Sequence, residues 1–325
     1  MGTATFALPS LNRLFEKGYD IAGVITQPDK PGGRGQTLQA SPVKRRAYEL
    51  QLQIYQPPSL KTDETQQLVS ALAPEMIVVV AYGKIVPPWL LQFPRFGCIN
   101  LHGSILPKYR GAAPVHWAVA NGDSKTGVCT MLLNQGLDTG PVYLCEETEI
   151  APDETVPVLY DRLADLGAPL LERTLEGIAA GTLKPKPQDD SQATFAPPLK
   201  KQDGFIDWSM PASAIHNRVR AFNPWPGTVT KFRGSVCKIQ ETRGRTPEFP
   251  NSEFGNSGVR PPFGSLQVSK GAFAVVCGDG QLLEILSIQP ENRKSISGRD
   301  FANGARIQPN EKFESMMDNG PDART

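Results

Sequence analysis

The sequence contains little of what metal, membrane and secreted proteins depend on. It has three histidines and five cysteines in 325 residues, and no two cysteines form a CxxC pair. This scarcity excludes zinc-ribbon and thioredoxin-type sites and argues against a metal held by histidines. No apolar run approaches the roughly 20 residues of a membrane-spanning helix, and the first residues lack the basic and apolar regions of a signal peptide. We therefore expect a cytoplasmic protein of a reducing compartment that uses no metal.

Signatures for phosphate binding and for serine hydrolysis are missing as well. The sequence contains no GxGxxG, no GxxxxGK[ST] and no GxSxG. These absences argue against a dinucleotide-dependent dehydrogenase, a P-loop ATPase and an α/β-hydrolase.

Neither sign of charge dominates, since 34 Lys and Arg balance 33 Asp and Glu for a net charge of +1. The charges are unevenly placed, however, because residues 200–306 carry 15 Lys and Arg against 9 Asp and Glu. A basic segment attached to a neutral-to-acidic one is a modest signal for nucleic-acid binding. Solubility alone would explain the same excess equally well.

The first 180 residues alternate short apolar runs with helical stretches, which is typical of an α/β fold. The predicted strands are 19–26, 74–81, 97–101, 126–133 and 141–150, and the predicted helices are 6–17, 42–51, 63–72 and 156–180. Because the β-branched runs are continuous rather than alternating, we expect a doubly wound, mostly parallel sheet covered on both faces.

The composition changes after this first domain, which we expect to span residues 1–181. The Pro-, Lys- and Gln-rich stretch 182–203 predicts a linker. Short strands with Gly-containing turns then predict a small OB-like β-barrel over residues 204–307. Within it, the Gly-, Pro- and Asn-rich stretch 244–262 predicts a mobile loop, and the polar residues 308–325 predict a disordered tail.

Two loops of the first domain contain side chains that can carry chemistry. The stretch Cys98–Pro107 begins as an apolar strand and breaks into a loop, and ligands of open α/β sheets bind beyond the carboxyl ends of strands. Asn100 and His102 point to the same side of that strand, where an amide and an imidazole can stabilise an oxyanion. Asp138, in a second loop flanked by glycines, could act as a general base or orient His102. Taken alone, each loop is better explained by ordinary turn chemistry.

Together, these residues resemble the folate-dependent formyltransferase family. The motifs INLHGSILPKYRGAAP and GLDTG place Asn100, His102 and Asp138 at successive intervals of 2 and 36 residues. The stretch VVVAYG resembles the strand and turn that hold the pterin in that family. The segments TQPDKPGGRG, SPVK and AFNPWPG resemble the members of the family that act on methionyl-tRNA. The resemblance covers nearly the whole chain.

The resemblance implies the transfer of a formyl group from 10-formyltetrahydrofolate, a consumed co-substrate, to the α-amino group of methionine on initiator tRNA. Asn100 and His102 would donate hydrogen bonds to the developing oxyanion. Asp138 would help to remove the amine proton through water and would hold His102 in its correct state. No metal is required for this reaction.

The resemblance also implies how both substrates are bound, by a protein that we expect to be a monomer. Arg34 and, as a weaker expectation, Lys30 would contact the tRNA from a loop, and the barrel would contribute a basic groove. The residues expected to bind folate lie near the ends of strands and in the loops that follow: Val80, Tyr82, Gly83, Ser104, Leu106, Pro107, Gly136 and Leu137.

The sequence departs from the family at its first residues. The family begins with an apolar strand before a Gly-Thr-Pro turn, whereas this sequence opens with Met1-Gly2-Thr3-Ala4. We therefore expect the first strand to be absent and its two neighbours to keep unpaired backbone groups. We also expect the true start to lie upstream of Met1.

Two other functions are compatible with the same residues. A formyltransferase acting on a small amine, such as glycinamide ribonucleotide or an amino sugar, would use the same α/β site. The loop of Arg34 and the basic barrel would then have no purpose. A catalytically idle RNA-binding protein on this scaffold is the third hypothesis, and the intact Asn100, His102 and Asp138 argue against it.

Overall fold

The computed structural model describes residues 1–32, 37–244, 261–269 and 272–316. The chain forms two compact units, and each unit is built from three separate segments of the sequence. Unit 1 contains Met1–Val115, Lys125–Glu149 and Pro157–Pro197. Unit 2 contains His116–Ser124, Ile150–Val156 and the chain from Pro198 onward.

The first 197 residues contain six α-helices and ten strands among the residues described. The helices are α1 (Leu8–Glu16), α2 (Pro42–Glu49), α3 (Asp63–Leu72), α4 (Pro88–Gln92), α5 (Pro114–Ala120) and α6 (Val156–Ala179). The strands are β1 (Val24–Ile25), β2 (Lys30–Gly32), β3 (Thr37–Gln39), β4 (Ile54–Tyr55), β5 (Ile77–Val80), β6 (Cys98–His102), β7 (Arg110–Gly111), β8 (Lys125–Leu132), β9 (Val142–Glu149) and β10 (Phe195–Ala196).

The sheet of unit 1 brings the carboxyl ends of β5 and β6 side by side. These two strands pair in parallel, with Val80 opposite Leu101, and the sheet continues through β8 and β9 in antiparallel pairing. Three shorter pairs surround it: β1 with β4 and β7 with β10 in parallel, and β2 with β3 in antiparallel pairing. The predicted α/β class is confirmed, and its parallel pairs carry the loops that follow β5 and β6.

Helix α3 shows how local sequence fixes an element of this unit. The side chain of Thr62 accepts a hydrogen bond from the backbone N–H of Thr65, and two acidic residues occupy the first turn. Both features stabilise a helix N-terminus. The helix then buries Val69 against Ile77 and Val79 of β5. The cap therefore fixes where the helix begins, and the Val69 contact holds the helix against one face of the sheet.

A cavity of about 480 Å³ lies where the sequence predicts a missing first strand. Its walls include Val24 of β1 and Ile77 of β5. Between these strands only Met1 and Gly2 supply backbone partners among the residues described. Gly2 donates to the Ile25 carbonyl, and the Met1 carbonyl accepts from Val80.

The amino group of Met1 is buried in this region and donates to the carbonyl oxygen of Val78 at 2.6 Å. Burial lowers the pKa of this group from 8.0 to about 6. A lowered pKa in the folded state means that the unfolded chain binds more protons between pH 6 and 8. The resulting penalty, about 3 kcal/mol for two pKa units, is therefore complete below pH 6 and disappears above pH 8.

We predict that a segment of about eight apolar, strand-forming residues fused before Met1 raises the melting temperature by filling this cavity. The fusion also removes the buried amino group, so the rise in stability between pH 6 and 8 should become smaller. A Gly-Ser segment of equal length is the matched control, because it removes the charge without supplying an apolar strand. Equal melting temperatures for the two fusions would contradict the prediction.

The stretch predicted as a linker is instead held against unit 1 up to Pro197. Lys186 pairs with Val142 of β9, and β10 pairs in parallel with β7. The linker prediction is therefore wrong for this part of the stretch. Its order comes from backbone and polar side-chain hydrogen bonds, which leave no apolar periodicity in a sequence.

The described residues of unit 2 from Pro198 onward form an antiparallel sheet and two α-helices, α7 (Ala212–Phe222) and α8 (Gly298–Ala305). Its strands are β11 (Thr228–Phe232), β12 (Ser235–Arg243), β13 (Leu266–Val268), β14 (Phe273–Val276), β15 (Leu282–Pro290) and β16 (Ile296–Ser297). The order is β11-β12-β15-β14-β13, with β16 paired to β15. The second domain, predicted as a small OB-like β-barrel, is confirmed as a mostly antiparallel β domain. The predicted mobile loop at 244–262 lies outside the described residues except at its ends.

The predicted disordered tail is wrong for residues 308–316. Phe313 is 2% exposed and lies in the core of unit 2. Its ring packs within 6 Å of the rings of Trp208 and Phe232, while Glu314 pairs with Lys231 of β11. One buried aromatic in a polar stretch gives no periodicity, so pattern analysis missed it.

We predict that Phe313→Ala destabilises the protein by about 3–5 kcal/mol, the usual cost of truncating a buried Phe. Urea unfolding monitored by tryptophan fluorescence measures the loss, because Trp208 stacks on this ring. Phe263→Ala is a suitable control, since Phe263 is 54% exposed. A loss below 1 kcal/mol at Phe313 would contradict its place in the core.

In the part of the chain that the structure describes, no helix is long and apolar enough to cross a membrane. The same residues contain no group of three or more His, Cys, Asp or Glu side chains arranged to hold a metal ion.

Candidate active site

Strand β6 supplies the first two candidate side chains. All five of its residues are buried, because β5 and β8 flank it in the sheet. Asn100 lies opposite Met131 of β8, and His102 lies opposite Cys129. Being two residues apart, Asn100 and His102 project from the same face of the sheet. The structure therefore places this pair at the carboxyl end of a buried strand, as predicted.

The loop after β6 fixes the orientation of the His102 ring. Nε2 of His102 lies 3.0 Å from the carbonyl oxygen of Tyr109. A carbonyl only accepts, so Nε2 carries the hydrogen and donates. The other ring nitrogen, Nδ1, is left to face Asp138.

Asp138 meets His102 from the second loop. Its Oδ2 lies 3.7 Å from His102 Nδ1, and both side chains are largely buried. The same oxygen accepts a hydrogen bond of 2.8 Å from the backbone N–H of Gly111. At 3.7 Å the carboxylate and the ring are close enough for charge interaction but beyond direct hydrogen-bond distance. Nδ1 therefore makes no direct hydrogen bond to the carboxylate.

Asn100 differs from its neighbours because no described residue holds its carboxamide. The residue as a whole is 9% exposed. Its carboxamide atoms nevertheless reach the surface of the site, since the fully buried side-chain atoms without a partner among the described residues are Ser10 Oγ and Tyr82 Oη. An amide donor at the surface of the site, two residues from His102 on the same strand face, is available to a ligand.

The predicted folate-binding residues lie at the end of β5 and on three loops, and most of their side chains are already packed. Val80, Tyr82 and Leu106 are at most 7% exposed, and burial raises the pKa of the Tyr82 phenol. Ser104 donates its hydroxyl to the carbonyl of Lys108 in its own loop. Leu137, beside Asp138, is 61% exposed. These loops can therefore offer backbone groups and one exposed apolar side chain.

The remaining folate candidates are backbone-rich positions. Gly83 is exposed, with a positive φ of 79° that favours glycine, in the turn after β5. Pro107 follows Leu106 through a cis peptide bond. Gly136 donates its backbone N–H to Asn134, which closes the Asp138 loop.

The structure describes Lys30, one of the two residues expected to contact tRNA. Lys30 is exposed on β2, and its Nζ donates to the side-chain oxygen of Gln27 at 2.7 Å. Gln27 in turn donates to the carbonyl of Tyr82. Lys30 is thus linked to the turn after β5. Arg34 lies outside the described residues, so its contact remains a prediction.

Pattern analysis missed two residues that hold the Asp138 loop. Gln188 donates to the carbonyl oxygens of Asp138 and Gly140, and Arg110 donates to Gln188. Gln188 belongs to the stretch predicted as a linker. Arg110 belongs to the motif INLHGSILPKYRGAAP, in which Asn100 and His102 were the residues identified as candidates. Neither carried a signal that sequence reasoning could have used.

A disulfide bond joins Cys129 and Cys145 on adjacent strands of the same sheet. Cys129 lies opposite His102, and directly opposed residues project from the same face. The bond therefore lies on the face that carries His102. The sequence predicted reduced cysteines, and only Cys98, Cys237 and Cys277 are free. The difference arises because this pairing depends on strand register rather than on cysteine spacing.

We predict that Cys145→Ser lowers the free energy of unfolding by about 3 kcal/mol under non-reducing conditions, the value expected for a loop of this length. Urea unfolding with and without dithiothreitol measures it. The reductant should bring the unmodified protein to the stability of the variant and leave the variant unchanged. A free-thiol titration that finds all five cysteines reactive in the unfolded, non-reduced protein would rule the bond out.

The chain belongs to the formyl transferase family. Residues 1–175 match the family described as Formyl transferase, and residues 198–306 match Formyl transferase, C-terminal domain. The resemblance inferred from the motifs is thereby confirmed.

Close relatives cover almost the whole chain. Methionyl-tRNA formyltransferase of Solibacter usitatus is 46% identical over 313 residues, which covers 96% of this chain and 97% of the relative. The protein of the same name from Caldanaerobacter subterraneus is 45% identical over 308 residues, covering 94% and 96%.

Two solved structures have a similar fold. A sugar 3N-formyl transferase, crystallised in the presence of dTDP and 5-N-formyl-THF, matches with a TM-score of 0.63 and 18% identity, covering 90% of this chain and 97% of that one. An N-formyltransferase from Helicobacter canadensis, in complex with folinic acid and dTDP-3-aminofucose, matches with a TM-score of 0.62 and 18% identity, covering 89% and 97%. At this identity the likeness concerns the fold alone.

Proposed function

We propose that this chain transfers a formyl group from 10-formyltetrahydrofolate to the α-amino group of methionine on initiator tRNA. The observation that carries the proposal is the identity of 46% to a methionyl-tRNA formyltransferase across 96% of the chain. The site geometry agrees with it, since a buried amide and an imidazole share one strand face and a carboxylate lies 3.7 Å from the ring.

In the proposed reaction the amine nitrogen attacks the formyl carbon, and the carbonyl electron pair moves to the oxygen. The carboxamide of Asn100 donates to this oxyanion. His102 donates to it through Nδ1 as an imidazolium, which carries a hydrogen on each nitrogen and whose charge the Asp138 carboxylate balances from 3.7 Å away. Tyr109 accepts from Nε2 at 3.0 Å and so keeps Nδ1 turned towards the centre. The tetrahedral intermediate collapses when the bond to folate N10 breaks and N10 takes up a proton.

Asp138 removes the proton that the amine must lose. Its Oδ2 already accepts from Gly111, whereas Oδ1 makes no hydrogen bond to another described residue. Oδ1 is therefore the atom that receives the proton, through one water molecule. The carboxylate also orients the His102 ring across the 3.7 Å that separates them.

We further propose that folate binds through the backbone of the three loops rather than through buried side chains. Val80, Tyr82 and Gly83 would contribute from the end of β5, and Ser104, Leu106 and Pro107 from the loop after β6. Gly136 and the exposed Leu137 would close the site beside Asp138. This use of main-chain groups fits loops whose side chains face the core.

For tRNA we propose contacts from Lys30, Arg34 and the positively charged segment 200–306. Contacts between these side-chain charges and the phosphate backbone of the tRNA give affinity that depends on salt but does not select a sequence. In this scheme residues 1–181 carry the catalytic side chains and residues 204–307 bind tRNA. We propose that the enzyme acts as a monomer in the cytoplasm.

Asp138→Asn should lower kcat/KM for methionyl-tRNA by about 100- to 10,000-fold, the range that a general base contributes. Formation of N-formylmethionyl-tRNA from 10-formyltetrahydrofolate measures it, with mass spectrometry of the released amino acid as the readout. Asp165→Asn is the matched control, since Asp165 is an exposed carboxylate on α6 of the same unit.

The same assay separates the acceptors. Free glycinamide ribonucleotide and an amino sugar, tested at equal concentration, should give no product. Formylation of either small amine in preference to methionyl-tRNA would overturn the proposal. Unchanged activity of Asp138→Asn would overturn the mechanism.

A further inference from the structure

The side chain of Gln188 lies beneath the Asp138 loop and uses its full hydrogen-bonding capacity. Its Nε2 donates to the carbonyl oxygens of Asp138 at 2.8 Å and Gly140 at 2.7 Å. Its Oε1 accepts from Nε and Nη2 of Arg110, at 3.1 and 2.8 Å. A carboxamide is needed for this arrangement, because one end must donate twice while the other accepts twice.

The Asp138 loop needs an external support of this kind. Asp138 adopts a φ of 53°, in the left-handed region that non-glycine residues seldom occupy. Such a conformation persists only where its surroundings hold it. Gln188 binds the carbonyls at Asp138 and two residues later, so it fixes the main chain on which the carboxylate is mounted.

Arg110 connects this support to the rest of the site. Its side chain is 4% exposed, and its charge is balanced by Asp190, whose Oδ1 accepts from Nη2 at 2.6 Å. The next residue, Gly111, donates its N–H to the carboxylate of Asp138. A side chain at Gly111 would collide with the Ala196 carbonyl, 2.5 Å from its Cβ. Of the two residues of β7, Gly111 therefore holds the Asp138 carboxylate, and Arg110 holds the Asp138 backbone through Gln188.

We propose that Gln188 is a positioning residue, which sets the distance and direction of the Asp138 carboxylate relative to His102. The proposal rests on the proposed role of Asp138 in proton removal. Gln188 is bonded to neither ring nor carboxylate, so it acts on the reaction only through the Asp138 loop. Its loss should slow the chemical step and leave folate binding intact.

The test compares Gln188→Met, which keeps the length of the side chain and removes both hydrogen-bonding ends, with Gln192→Met. Gln192 is an exposed residue of the same stretch, bonded only to Asp189 among the residues described. We expect kcat for methionyl-tRNA to fall about 10- to 100-fold in Gln188→Met, as for the loss of a supporting group or a displacement of about 1 Å. KM for 10-formyltetrahydrofolate should change less than twofold, and Gln192→Met should match the unmodified enzyme.

A double-mutant cycle with Asp138→Asn then distinguishes positioning from general stability. If Gln188 acts through Asp138, adding Gln188→Met to Asp138→Asn should cost no further activity in single-turnover assays. Additive losses would overturn the proposal, and so would an unchanged kcat in Gln188→Met.

Two further measurements distinguish failure of the Gln188 proposal from failure of the Asp138 mechanism and from failure of the variant to fold. If Asp138→Asn alone has normal activity, the proposed function of the carboxylate fails, whatever Gln188 does. If Gln188→Met does not fold, Arg110→Lys replaces it, since lysine keeps the charge but cannot bond Oε1 with two nitrogens. The same fall in kcat, and the same absence of a further loss with Asp138→Asn, are then expected, and a normal kcat overturns the proposal.

Discussion

The geometry of the site depends on three consecutive residues that each hold a different part of it. The carbonyl of Tyr109 accepts from the His102 ring, the guanidinium of Arg110 binds Gln188, and the N–H of Gly111 binds the Asp138 carboxylate. Because all three belong to one segment of main chain, the imidazole and the carboxylate share a common support. That segment is kept in place by the pairing of β7 with β10, only two residues on each side.

The polar side chains of the site differ in whether the protein already holds them. His102 and Arg110 are 6% and 4% exposed, and both donate to oxygen acceptors from their own unit. The carboxamide of Asn100 has no partner among the described residues, and it is not one of the buried unpaired groups. On the proposed mechanism this leaves a donor free for the reacting atoms. A donor that pairs more strongly with an oxyanion than with the ground-state carbonyl stabilises the transition state more than the ground state.

The parts of the structure that sequence reasoning predicted are those fixed locally. The 24-residue helix α6 and the strand β8 were predicted to within one residue at each end, and the spacing of Asn100 and His102 sufficed to put them on one face. The parts it missed depend on distant partners. Strands β7 and β10 are too short to leave a pattern, the disulfide depends on the register of β8 and β9, and Gln188 acts through an amide in a polar stretch.

The site also implies where acceptor choice must come from. The α-amino group of methionine and a small primary amine present the same nucleophile to the formyl carbon. The three side chains proposed to act there therefore cannot distinguish the two by the chemical step. Discrimination has to come from contacts made far from that carbon, and the excess of positive charge lies in residues 200–306, outside the residues of the proposed chemistry. Since those contacts exist before and during the transition state alike, removing them should raise KM for tRNA, weaken the dependence of that KM on salt, and leave kcat at saturation close to its original value.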